Sequence, residues 1–206
     1  TSLTTILIPA GVKNIKEAAF YGCSSLNQIM VDADNPNYAS VDNCLYDEAM
    51  TTLLRCRADA VNFTIPDGVI RIGDGAFRGC QNVVSITIPD SVTLIAAGAF
   101  SNCTSLTHIT IPESVTSIGI SAFQGCSSLT NIAIPGSVTS IEDYLFYNCS
   151  GLTSITIPDS VTSIGNGAFN YCTSLTSVTF EGDAPLFGTY VFYGSYLVKV
   201  YYDANN

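Results

Sequence analysis

Eight cysteines, one histidine and a scatter of carboxylates are the side chains in this 206-residue chain whose types could carry chemistry. Cysteine offers disulfides, metal ligation or a nucleophile. Six of the eight, Cys23, Cys80, Cys103, Cys126, Cys149 and Cys172, fall in one column, and the last five stand 23 residues apart. Ser195 takes the next place, so the column reads as a row of small buried thiols rather than a disulfide framework. Cys44 and Cys56 lie outside it. They flank Met50 as facing positions of a hairpin would, which makes a disulfide between them the candidate cross-link. No Cys-x-x-Cys pair supports a zinc or thioredoxin-like site.

His108 falls on an outward strand position, next to the equivalent Ser85 and Asn131 of neighbouring repeats. A triad would need an adjacent nucleophile and a carboxylate, and the pattern supplies neither beyond routine surface residues. Asp32, Asp34, Asn37 and Asp42 could gather oxygen ligands, but the run lacks the central Gly and closing Glu of an EF-hand loop, and turn formation explains it. The expectation is therefore no catalytic residue, no cofactor and no metal ligand.

The elements that position these residues follow from a repeat. Phe77, Phe100, Phe123, Phe146, Phe169 and Phe192 keep the 23-residue step, as do Pro66, Pro89, Pro112, Pro135 and Pro158. In one unit, Ser154 to Ile157 alternates polar and apolar residues, the signature of a half-buried strand. Pro158 has no N–H to give and ends that strand, and Asp159-Ser160 supply a turn. Val161 and Ile164 turn inward on a second side. Ala168, Phe169 and Cys172 have the spacing of a short helical turn. A single coil cannot bury both faces, so stability must come from stacking coils into a parallel sheet with ladders such as Ile86, Ile109, Ile132 and Ile155.

The period breaks twice. Ile29 and Phe63 are equivalent strand positions but lie 34 residues apart, so the coil at about 32–62 carries an insertion. It opens with Asp34-Asn35-Pro36-Asn37-Tyr38, a turn cluster, and continues with Cys44-Leu45-Tyr46 and Leu53-Leu54-Arg55-Cys56, a hairpin closed near Met50. Such an insertion is expected to project as a contact surface or simply decorate its coil. At about 180–206 the ending is irregular and rich in Tyr193, Tyr196, Tyr201 and Tyr202, read as a capping coil with an aromatic patch as the alternative. The chain opens inside a repeat, so earlier repeats or a signal peptide are expected to precede it.

Seventeen acidic against seven basic residues give a net charge of −10. Such a surface repels phosphate backbones and disfavours nucleic acid. Charged residues make up 12%, about half the usual share, leaving Ser, Thr and Asn to form the polar surface. No apolar run is long enough to span a bilayer.

The pattern Cys-x-x-Leu-x-x-Ile-x-Ile-Pro, then Val-x-x-Ile-Gly and Ala-Phe, resembles the BspA-like (Treponema pallidum-type) leucine-rich repeats of bacterial surface proteins. The resemblance spans nearly the whole chain, including the Asp-Asn-Pro-Asn-Tyr insertion and the Gly-Asp-Ala-Pro ending. It implies a single domain over residues 1–206: a mostly β, right-handed leucine-rich-repeat solenoid of 23-residue coils with a parallel sheet and short helical turns. It also implies a cell-surface or secreted protein that adheres to host or extracellular macromolecules, protein or glycan, without catalysing a reaction. The residues themselves offer a binding face on the exposed strand positions Ser85, Thr87, His108, Thr110, Asn131, Ser154, Thr156, Ser177 and Thr179. A passive spacer presenting another domain of a larger surface protein is the alternative.

Overall fold

The computed structural model of the chain describes residues 2–16 and 19–202. Its strands are β1 (Thr5–Ile8), β2 (Gln28–Val31), β3 (Tyr38–Val41), β4 (Cys44–Asp47), β5 (Thr52–Arg55), β6 (Asn62–Thr64), β7 (Arg71–Ile72), β8 (Ser85–Thr87) and β9 (Leu94–Ile95). They continue with β10 (His108–Thr110), β11 (Ser117–Ile118), β12 (Ser140–Ile141), β13 (Ser154–Ile157), β14 (Ser163–Ile164), β15 (Ser177–Phe180), β16 (Leu186–Phe187) and β17 (Lys199–Tyr202). Each regular coil, except the one at residues 130–135 in the first stack, gives one strand to each of two parallel stacks, joined by a Pro-x-Ser/Gly-Val turn in which, for example, Val92 N–H donates to the Pro89 carbonyl at 3.1 Å. The chain is the β-solenoid that its 23-residue period demands.

Stacking buries identical residues on one another. Ile86 lies opposite Ile109, and Ile155 opposite Val178, in exact register-matched pairs. Phe77, Phe100, Phe123, Phe146, Phe169 and Phe192 form a continuous stack with ring centroids 5.2 to 5.7 Å apart. Removing one such ring from water is worth roughly 1.5–3 kcal/mol, so this column is a principal source of stability. Hydroxyls add stitches between coils: Ser91, Ser114 and Ser160 each donate to a Val carbonyl one coil back, at 2.7 to 2.8 Å.

The expected helical turns are absent, and the described residues contain no α-helix. The segment through Phe100 shows why. Ala99, Ser101 and Cys103 donate to the carbonyls of Ala96, Gly98 and Phe100. The amides between them, Gly98, Phe100 and Asn102, donate instead to Ile120, Ala122 and Gln124 of the next coil. Two left-handed positions per coil, here Gly98 (φ 60°) and Asn102 (φ 59°), aim these amides forward. Half of the turn's hydrogen bonds thus go to a neighbour, which no sequence spacing reveals.

Both stacks are interrupted at one junction. The strands of each side separate into groups between the coils that begin near His108 and Asn131, and residues 130–135 form no strand. The turn amides of Ser121, Phe123 and Gly125 still bridge to the next coil there.

The insertion does not project. β3, β4 and β5 form an antiparallel meander whose last strand pairs in parallel with β7, so the hairpin continues the second stack. β4 is buried on both sides: Cys44 and Tyr46 face the long core, while Leu45 packs with Ile8, Leu26 and Ile29 in a second core under the N-terminal coils. The inserted strand is a partition between two cores. At the other end, β16 and β17 prolong both stacks, and Leu186, Phe187, Val200 and Tyr202 stay exposed there.

Candidate binding surface

The first stack presents its polar positions outward because alternate residues of a strand point to opposite faces. Ser85 and Thr87 on β8 lie in register beside His108 and Thr110 on β10. Ser154 and Thr156 on β13 lie beside Ser177 and Thr179 on β15. The structure therefore brings the expected face together as two patches. Asn131 is exposed in the coil between them but lies on no strand. Each patch is also longer than expected: Asn62 and Thr64 on β6 extend the first, and Lys199 and Tyr201 on β17 the second. The alternation in Asn62-Phe63-Thr64 carries that signal, and the equivalence of Phe63 to Ile86 points to it. Few of these side chains are engaged by the protein; Ser85 Oγ donates to Asn62 Oδ1 at 2.7 Å.

His108 is exposed, and its Nδ1 shares a hydrogen bond with Thr107 Oγ1 at 2.9 Å. Ser85 is its strand neighbour. Asp32 caps the Asp34 amide through Oδ1 at 3.0 Å, and Asn37 Nδ2 donates to the Val12 carbonyl at 3.3 Å. The buried Asn35 organises this turn, donating to Pro9 O at 2.7 Å and accepting from the amides of Asn37 and Tyr38. Among the described residues, no group of three or more His, Cys, Asp or Glu gathers around a common point.

An exposed surface on the turn side was only partly visible in the sequence. Tyr144, Tyr147, Tyr171 and Tyr193 run edge to face across three coils, with centroids 5.7 to 5.9 Å apart, and Tyr190 joins Tyr193 at 6.0 Å. Tyr171 lies across Gly194, where a Cβ would come within 2.6 Å of its ring. Tyr144 and Tyr190, like Tyr147 and Tyr193, stand two repeats apart, which is the pattern that marks this ribbon in the sequence. A shallow hollow of about 480 Å³ also opens beside the insertion, lined by Tyr21, Leu54, Asp74, Arg78, Ser121 and Gln124 among others.

The column cysteines are engaged. Cys103, Cys126, Cys149 and Cys172 each direct Sγ to a Phe carbonyl in the preceding coil, at 3.0 to 3.2 Å. Ser195 Oγ donates to Phe169 O at 2.8 Å in the same way, so the column selects a small donor, not sulfur as such. Burial pushes the thiol of Cys80 up to about 11 and that of Cys172 up to about 12, which keeps both protonated and unreactive.

Two parallel stacks, 23-residue coils and a buried aromatic column together define a leucine-rich-repeat solenoid. The chain belongs to the BspA type leucine rich repeat region family, which matches it in six copies over residues 1–53, 55–150 and 94–206. It is similar to a leucine-rich repeat protein from Eubacterium ventriosum, with a TM-score of 0.85 and 28% identity over 94% of this chain and 59% of that one. It is also similar to a leucine rich cell surface protein from Faecalibacterium prausnitzii, with a TM-score of 0.82 and 39% identity over 88% of this chain and 49% of that one. The T. pallidum leucine rich repeat protein follows at a TM-score of 0.65 and 29% identity, over 82% of this chain and 90% of that one. The chain thus spans about half to three fifths of the first two relatives. The comparison with curated proteins gives no match. Among the described residues, no helix is long and apolar enough to cross a membrane.

Proposed function

We propose that the chain is a non-enzymatic recognition or adhesion module of a cell-surface or secreted protein, and that it binds an extracellular protein or glycan through the outward face of its first stack. The observation that carries this reading is the lattice of short hydroxyl and amide side chains, held in register and exposed or half-exposed. The sheet has already fixed their positions, so a partner need not bear the cost of ordering them. Membership in a family of repeat scaffolds, and the F. prausnitzii relative described as a cell surface protein, agree with it.

A passive spacer presenting another domain is the second reading, favoured by solved relatives that are longer than the matched stretch. The test is a screen of the chain against immobilised extracellular matrix proteins and a glycan array. Any partner found is then retested with Thr110→Lys and Thr156→Lys, one change in each patch. At least a tenfold loss of affinity in either variant is expected. Loss with Tyr171→Ser alone would move the site to the tyrosine ribbon, and a screen without any partner would favour the spacer.

A further inference from the structure

The two cysteines outside the column are placed unlike the other six. Cys44 opens β4, and Cys56 directly follows β5, its antiparallel partner, one step beyond the Leu45–Arg55 pair. Their sulfurs lie 3.5 Å apart with both residues fully buried. Four column thiols reach a Phe carbonyl one coil back, whereas Cys44 and Cys56 face each other, with the Asp42 carbonyl a further partner of Cys44 at 3.6 Å.

We propose that Cys44 and Cys56 form an intramolecular disulfide that staples the inserted hairpin into the wall between the two cores. The separation of the sulfurs exceeds a bonded S–S distance of about 2.05 Å by an amount that side-chain rotation can close, because the strands already hold the two residues opposite each other. The oxidant is a small-molecule disulfide. The Cys44 thiolate attacks one of its sulfurs, giving a mixed disulfide and expelling one thiolate, which takes up a proton. The Cys56 thiol then loses its proton and attacks the Cys44 sulfur, and the second small thiol leaves. Two protein thiols are oxidised to one disulfide, and the small disulfide is reduced to two thiols.

In the closed hairpin the two thiols differ. Once Cys44 ionises, the Cys56 thiol and the Arg57 amide, at 3.4 Å, both donate toward its sulfur, which lowers its pKa against the opposing effect of burial. Cys56 is raised instead, by burial and by Cys44. Because neither sulfur reaches solvent, exchange takes place as the hairpin folds or opens locally. The bond would fasten β4 to β5 at the partition on which both cores rest, independently of which outer face binds a partner.

The test refolds the full chain in a buffer of oxidised and reduced glutathione, alkylates free thiols under denaturing conditions and maps the peptides by mass spectrometry. Cleavage after Glu48 and Arg55 separates the two cysteines. The expected product is a linked pair of peptides carrying Cys44 and Cys56, lighter by two hydrogen atoms than the reduced pair, with the six column cysteines alkylated. Alkylated Cys44 after oxidising refolding, or a bridge from Cys56 to Cys80 or Cys23, would overturn the proposal. A second readout needs no substitution: reductant should lower the thermal midpoint of the oxidised chain by several degrees, and an unchanged midpoint counts against the staple. Cys44→Ser, where it folds, should show no response to reductant.

Discussion

The regular coils and the inserted coil solve one backbone problem in two ways. In a regular coil, three turn amides reach forward to three carbonyls of the next coil, as Gly75, Phe77 and Gly79 do to Ala97, Ala99 and Ser101. The inserted coil has a hairpin where that turn should be, yet the coil after it still offers Ala76 and Arg78 carbonyls. The Cys56 amide serves Ala76 at 2.8 Å, and the Arg55 side chain serves Arg78 through Nη1 at 2.8 Å. Arg55 also reaches the carbonyls of Gly75 and Cys23, at 3.1 and 3.3 Å. A buried guanidinium thus replaces a missing backbone donor. What the coils of this chain share in stacking is the direction of hydrogen bonds, and the residues that supply them differ.

Five changes at four positions probe that contrast, from the largest effect to the smallest. Phe123→Ala empties a place in the middle of the regular stack and should lower unfolding stability by about 3–5 kcal/mol in denaturant titrations. Arg55→Ala should cost about 2–4 kcal/mol, because it strands buried carbonyls, with faster amide exchange concentrated around Ala76 to Cys80. Arg55→Lys should rescue little of this, since one ammonium cannot span carbonyls from two coils. A near-neutral Arg55→Ala would show that the hairpin is held by its apolar faces alone.

Asp47 closes the hairpin turn: Oδ1 accepts from the amides of Thr51 and Thr52 at 2.7 and 2.8 Å, and Oδ2 from Thr51 Oγ1. Partial burial raises its pKa, but these donors outweigh it and leave the carboxyl below its ordinary value. The charged form is thus favoured by folding. Its contribution is complete above the unfolded carboxyl value near 3.9 and vanishes as pH falls through the lowered native value. Asp47→Asn should therefore be destabilising at neutral pH in denaturant titrations, and that gap from the parent should close in acid. Ser121→Gly is the smallest test. Ser121 occupies a left-handed turn position (φ 56°) that earlier coils fill with Gly75 and Gly98, so the change should raise stability by about 0.5–1 kcal/mol in thermal melts.

The regular coils were legible because every column repeats its own evidence. The Ile ladders, the Phe stack and the outward Ser/Thr positions all fall where alternation and the 23-residue step place them. In the insertion, Cys44 to Tyr46 and Leu53 to Arg55 form the expected hairpin. β3 went unseen because Tyr38-Ala39-Ser40-Val41 lacks a clean alternation, and its partner pairs with it only after the chain reverses. The partition role of β4 was hidden for another reason. Cys44, Leu45 and Tyr46 read as one apolar run, and only the packing on each side distinguishes two cores from one. Ala168, Phe169 and Cys172 have helical spacing, but their hydrogen bonds depend on a neighbouring coil. The proposed binding face is legible as geometry, whereas its ligand depends on the chemistry of another molecule.

The forward-pointing turn amides also govern symmetry. Each coil has a donor side and an acceptor side along this column, so every coil-to-coil contact is heterologous. Two ends of the same kind, brought together about a two-fold axis, would set donors against donors or carbonyls against carbonyls. Stacking that satisfies the column must run head to tail. The solenoid is in this sense a one-way lattice, in which each coil presents a different face to the coil before it and the coil after it.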